Sequence, residues 1–196
     1  MKSFFTSLLS LFILVTLSSC GSSVKDKKTP INKAALSHSS NAALAKKVLA
    51  HPKITLLRKQ VSGRVDGASS YHNIASTARG YSAKRSNYGT APGGYVKLRN
   101  QMLKTMLYLA DTKGYSYRIT SIAGGSHSRN SKHYAGIAFD IDMINGRKVG
   151  YGNSHCRAFM RASRAKGATE VLGPGDRAHN THIHIAWPRS LSVYGN

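Results

Sequence analysis

The chain opens with an almost unbroken apolar stretch over 4–17, after which Ser, Lys and Thr dominate to about residue 40 without an apolar period. From there Ala42, Leu44, Ala45, Val48 and Leu49 recur at helical spacing and stop at His51-Pro52, because proline pushes its predecessor out of the helical region. A short apolar run at 54–57 reads as a strand. The segment 62–94 is rich in Gly, Ser and aromatic side chains and lacks a period, so it is expected to be a long irregular excursion of the kind that lines sites. A second amphipathic helix is expected over 96–111, with Leu98, Met102, Leu103, Met106, Leu107 and Leu109 as its buried stripe and Gly114 as its terminator. Alternation at 116–122 predicts a strand, a Gly/Ser/His loop follows over 123–132, and another strand covers 137–143. Phe159, Met160 and Ala162 sit inside a basic helix over 154–166 that Gly167 ends, and strands at 170–172 and 181–187 complete the pattern. This order predicts an α+β fold, a small, mostly antiparallel sheet flanked by helices.

Composition narrows the function classes. With 196 residues, 41% hydrophobic residues, 18 Gly and 10 Tyr, the chain has enough apolar material for one core and is neither low-complexity nor disordered throughout. Its 29 Lys+Arg against 7 Asp+Glu give a net charge of +22, which disfavours acidic partner surfaces and favours polyanions. Phosphate-cradling motifs and interleaved stacking aromatics are missing, so no specific nucleic acid is expected as partner. Two cysteines, Cys20 and Cys156, exclude a disulfide-stapled scaffold, and Cys156 suits a small buried hydrophobe within a helix.

Lys2 followed by the apolar run fits the charged and hydrophobic regions of a secretory signal. The run ends in Leu17-Ser18-Ser19-Cys20-Gly21, which resembles a bacterial lipobox. That resemblance implies diacylation of Cys20 as the new N-terminus, with a signal peptide over 1–19 and a tether over 20–40; an ordinary signal peptide cleaved nearby is the other reading. The expected location is the cell envelope, on the periplasmic or extracellular face, membrane-anchored by lipid.

The chemistry concentrates in two places. One is Ser131-Lys132-His133-Tyr134-Ala135-Gly136-Ile137-Ala138-Phe139-Asp140, and the other is His182-Ile183-His184. Side chains two apart on a strand share a face, so His182 and His184 point one way, as do Ala138, Asp140 and Asp142 on theirs. Ile137, Phe139 and Ile141, with Ile183, Ile185 and Trp187, are then left for the core. Two His and one Asp from neighbouring structural pieces offer zinc three ligands and leave one position open, the layout of a catalytic rather than a structural site.

Ser131, His133, Gly136, Ala138 and Asp140 match the S-x-H-x-x-G-x-A-x-D signature of the D-Ala-D-Ala metallopeptidases, and His182 with His184 matches the H-x-H of their murein endopeptidase relatives. The stretch 118–140, with His133-Tyr134 and His127, also resembles the zinc-binding domain of Hedgehog proteins. The resemblance covers about 116–187 and implies a Hedgehog/DD-peptidase-like fold, with a metallopeptidase-like core over 96–196 and the helix and excursion of 41–95 packed on it. It implies one zinc ion held by His133, Asp140 and His184, with His182 beside it as base or electrostatic partner. It also makes Ser131 and His179 candidates for substrate contact and puts His127 at the rim of the cleft.

The sequence departs from the family where a general-base Glu is expected: Thr181 and Ala178 stand at those positions. Asp176 is the runner-up base, although Gly173-Pro174-Gly175-Asp176 also suits a turn. The arginine that usually follows the strand before the zinc motif is missing from Ser121 to Gly125, leaving Arg118 or Arg129 to hold a substrate carboxylate. The expectation is a monomeric, lipid-anchored zinc peptidase cutting amide bonds of peptidoglycan stem peptides or cross-links. The alternative is a non-catalytic, zinc-stabilised module that binds anionic envelope polymers.

Overall fold

The computed structural model describes the backbone of residues 33–189 and the side chains of 41–189. The expected signal peptide, lipidation at Cys20 and most of the tether lie outside the described residues. Helix α1 spans Lys33–Ala50, so the end of the segment read as a tether is helical. There follow β1 (Ile54–Leu56), α2 (Ser70–Ala78), β2 (Ala83–Lys84), β3 (Tyr95–Val96), α3 (Asn100–Asp111), β4 (Tyr117–Ser121), β5 (Ala138–Ile144), β6 (Arg147–Lys148), α4 (His155–Arg164), β7 (Glu170–Leu172) and β8 (Ile183–Ala186). The fold is α+β. Its main sheet runs β1-β4-β5-β8-β7 with β6 hairpinned onto β5, while β2 and β3 form a separate ribbon. Among the described residues only β1 joins β4 in parallel, and every other pairing is antiparallel.

The period-2 alternation of β5 and β8 divides the two faces of the sheet. Phe139, Ile141, Ile183 and Ile185 are fully buried and share one apolar cluster with Val48 of α1, Met102 and Met106 of α3 and Phe159 of α4. Burying side chains of this size contributes roughly 2–3 kcal/mol each, so this face sets the strand register. A one-residue slip would turn the isoleucines to the polar face and Asp140 and His184 into the apolar cluster. The opposite face is therefore free to carry Asp140 and His184.

The excursion over 62–94 is not irregular throughout, because it contains α2 and β2. Helix α2 escapes hydrophobic periodicity because its buried face is largely small and polar. Ser70 Oγ donates to Ile119 O at 2.8 Å, Asn73 Nδ2 donates to Lys84 O at 2.8 Å, and Asn73 Oδ1 accepts from the Ala123 N–H at 2.8 Å. Buried polar groups are tolerated when satisfied in this way, and here they dock the helix onto the backbone of its neighbours. Ser69 supplies the N-cap, its Oγ accepting from the His72 N–H. The α3 helix begins at Asn100 rather than near 96, because Val96 is spent in β3 and Leu98 O accepts from Asn41 Nδ2 at 2.9 Å.

Candidate metal centre

Antiparallel pairing sets Asp140 of β5 directly opposite His184 of β8. His133 comes from the turn before β5, and Gly136 with φ +69° brings the chain back so tightly that a Cβ there would lie 2.5 Å from Lys97 O. The three side chains converge. His133 Nε2 lies 3.1 Å from both Asp140 Oδ1 and His184 Nδ1, and His184 Nδ1 lies 2.8 Å from Asp140 Oδ1. All three residues are buried.

The outer atoms of both imidazoles decide what the inner ones can do. His133 Nδ1 donates to Ile122 O at 2.7 Å, and His184 Nε2 donates to Glu170 Oε1 at 3.1 Å. A neutral imidazole that spends its N–H outward presents a lone pair inward, so two lone pairs and a carboxylate oxygen face one point. Nitrogen and oxygen ligands about 2.0–2.1 Å from a tetrahedral zinc lie roughly 3.3 Å apart, close to the separations here. The donor set therefore fits zinc, and the outward bonds are the ones that orient metal-binding histidines. Burial opposes ionisation of Asp140, but the facing His133 and His184 outweigh it and hold the carboxyl well below the usual range. His133 moves up for the reciprocal reason, with Asp140 outweighing burial.

The face carrying these residues floors a cleft of about 680 Å³. Arg118, Thr120, Asp140 and Asp142 lie on the floor, Gln60 of the loop after β1 and Tyr88 of the excursion form one wall, and Lys148 and His182 lie on the other side. A cleft of this size accommodates a short peptide, and its residues come from elements distant in sequence.

Comparison with known proteins is partial and points the same way. Seventy-one residues are 38% identical to the zinc D-Ala-D-Ala carboxypeptidase of Streptomyces albus G, covering 36% of this chain and 24% of that protein. The chain thus spans about a quarter of the length of the curated relative it matches. No family model and no solved structure matches the chain.

The other residues singled out in the sequence fall into distinct places. His182 is half-buried in the cleft, where burial pushes its pKa down and Asp140 pulls it up. His127 stacks on His133 with ring centroids 4.0 Å apart, and burial with the His133 charge pushes its imidazole down to about 4 against the pull of Asp140. His127, His133 and Asp140 also offer one ligand atom each within 4.8 Å of one another. The His127 Nε2, however, is engaged with Gly124 O at 3.0 Å and Ser121 Oγ at 3.2 Å, so the tighter triangle is that of His133, Asp140 and His184. Arg118 lies in the cleft but is doubly bonded to Asp142, at 2.8 and 2.6 Å, and so is not a free carboxylate clamp. Ser131 does not line the cleft; its Oγ accepts from the His133 N–H at 3.2 Å and braces the ligand turn. His179 sits beside His182, ring centroids 4.8 Å apart, with its Nδ1 donating to Arg177 O. Arg129 is exposed and lies outside the cleft walls. Asp176 also lies outside them: its carboxylate accepts from the Gly173 N–H at 2.8 Å and closes its own turn.

Two features were not read as parts of the site. Nothing local in the sequence marks Glu170, yet the β7–β8 register places it diagonal to His184 and Lys132 Nζ ties its second oxygen at 2.9 Å. Gln60 lies in the loop after β1, where nothing in the local pattern marks it.

Proposed function

We propose that this chain is a zinc-dependent peptidase that hydrolyses amide bonds in peptidoglycan stem peptides or their cross-links. The observation that carries the reading is the triangle of His133 Nε2, Asp140 Oδ1 and His184 Nδ1, with both outer N–H groups already spent, of which Asp140 lines an open cleft. Similarity to a zinc D-Ala-D-Ala carboxypeptidase supports the reaction class and makes D-Ala-containing bonds the first to test. Anchoring by lipid at Cys20, an envelope location, a monomeric state and contact with anionic envelope polymers belong to the same proposal and rest on the sequence.

Zinc, when bound, supplies the Lewis acidity that activates water and polarises the scissile carbonyl. The rest is the work of the chain. His133, Asp140 and His184 hold the ion, with Ile122 O and Glu170 keeping the two rings in the required tautomers. Asp142 is committed to Arg118 and Glu170 to Lys132 and His184, which leaves His182 to take the proton from the attacking water and return it to the leaving amine. Arg118 and Asp142 give the floor polarity without net charge, and Lys148 adds a cation at its side.

One observation favours the non-catalytic reading: neither carboxylate on the cleft floor is free to act as a base. Incubation of the zinc-loaded protein with muropeptides, followed by mass analysis, separates the two. New amine termini that disappear in His182→Ala with zinc still bound support the peptidase. Uncut muropeptides from a fully zinc-loaded protein leave only the binding module.

A further inference from the structure

Gln60 is 6% exposed, yet it lines the cleft. Its backbone is fixed by a tight loop in which the Gln60 N–H donates to Arg64 O at 2.9 Å and Gln60 O accepts from the Gly63 N–H at 2.8 Å. Both side-chain N–H protons are committed, since Nε2 donates to Asp66 Oδ1 at 3.0 Å and to Ser86 Oγ at 3.4 Å. Asp66 also accepts from Ser86 Oγ and from the Ala68 N–H. Burial opposes its ionisation, but these bonds outweigh burial and hold the carboxyl below its ordinary value. An ionised carboxylate only accepts, so the amide cannot be flipped.

The fixed orientation leaves Gln60 Oε1 as a carbonyl acceptor with no donor among the described residues, and the atom is not sealed from solvent. Its surroundings locate it. A Cβ on Gly125 would lie 3.8 Å from Gln60 Oε1 and 3.1 Å from His127 Nε2, so the two flank one glycine of the cleft wall. His127 in turn stacks on the metal-site residue His133. The support is itself tied in, because Ser86 Oγ accepts from the Gly125 N–H at 2.9 Å.

We propose that Gln60 is a specificity-determining residue whose side-chain carbonyl accepts a hydrogen bond from a backbone N–H of a bound peptide. The inference rests on the peptidase reading for its substrate class. A peptide that enters the cleft exchanges water for wall atoms, and each N–H without an acceptor costs the desolvation of that group. A preset acceptor meets that need without the entropy of ordering a mobile side chain. It also makes the site reject ligands that lack the donor.

The test uses the zinc-loaded chain with a stem pentapeptide and a set of analogues, each carrying an ester in place of one amide that is not cut. The readout is kcat/KM where the peptide is cut and the dissociation constant where it is bound uncut. Wild type is expected to discriminate against one ester analogue by about tenfold, the worth of a typical hydrogen bond. Gln60→Met, which keeps length but removes the acceptor, is expected to lose about the same factor on the parent peptide and to treat that analogue as its equal. Ser86→Ala loosens the same network and leaves Oε1 in place, so it is expected to keep the discrimination while unfolding at lower temperature. Equal treatment of all analogues by wild type, discrimination retained in Gln60→Met, discrimination lost in Ser86→Ala, or no binding of the parent peptide overturns the inference. Peptide bound but never cut overturns the peptidase reading alone, and the ratio of dissociation constants then decides the role of Gln60.

Discussion

Glu170 accepts from the outer nitrogen of His184 at 3.1 Å while its other oxygen is held by Lys132, the residue next to His133. One metal-site segment thus fixes the ring carried by the other. Glu170→Ala is expected to weaken zinc binding by about 10–100-fold, the usual cost of losing such an outward partner. Glu170→Gln keeps an acceptor for the ring and should lose less. Competition titration against a chromogenic chelator measures both.

Asp140 supplies the single negative charge at the centre of the triangle. Asp140→Asn keeps the shape and removes that charge, so zinc affinity should fall by more than about a hundredfold, beyond the loss for an outward partner. Metal analysis after gel filtration gives the stoichiometry. A variant that still carries one zinc per chain would place the ion elsewhere.

Removing zinc deprives the fold of a ligand that binds only the native state. At free zinc a hundred times the dissociation constant the stabilisation is about 2.7 kcal/mol. For a domain of this size that corresponds to a Tm lowered by roughly 5–10 °C on chelation and restored by added zinc. Thermal unfolding with and without chelator checks the shift. An unchanged Tm contradicts the metal centre.

Asp66 has a carboxyl pKa lowered from the ordinary 3.8 by hydrogen bonds that outweigh burial. A depressed folded value stabilises the protein above the unfolded pKa, and the contribution is lost as pH falls from there through the folded value. Wild type should therefore lose more stability than Asp66→Asn between pH 5 and pH 3. Urea midpoints at the two pH values give the difference.

Gly124 leaves no room for a side chain, since a Cβ would lie 2.0 Å from Ala68 O and 2.5 Å from Gln60 Nε2. The first of these is backbone and cannot swing away. Gly124→Ala is expected to destabilise the fold by roughly 2–3 kcal/mol. Chemical denaturation measures it, and a change under 0.5 kcal/mol, within the range of about ±0.5 kcal/mol typical of plain surface substitutions, contradicts the packing described.

The sequence was most legible where side-chain direction follows directly from strand period. The alternation of Phe139, Asp140 and Ile141 against Ile183, His184 and Ile185 foretold both the buried face and the polar one. Helix α2 was hidden because Ser70, Asn73 and Thr77 occupy buried positions that apolar residues normally mark. Glu170 was hidden because its role depends on the register of β7 against β8, a nonlocal property. Gln60 was hidden for a related reason: the loop carrying it reaches the site only through the parallel joining of β1 to β4. Arg118 and Asp142 are opposite in charge on adjacent strands, but their mutual bond, rather than binding by Arg118 to a ligand, emerges only once the strands are paired.

The parallel edge strand has an evolutionary corollary. Between β1 and β4 the chain makes one long detour, and that detour builds the wall bearing Gln60 and Tyr88, whereas Asp140 and His184 sit on antiparallel neighbours further inside the sheet. The cleft wall and the Asp140–His184 pair are thereby encoded in separable stretches of the gene. Insertions or exchanges in the detour can reshape that wall while the pairing of Asp140 with His184 is inherited intact.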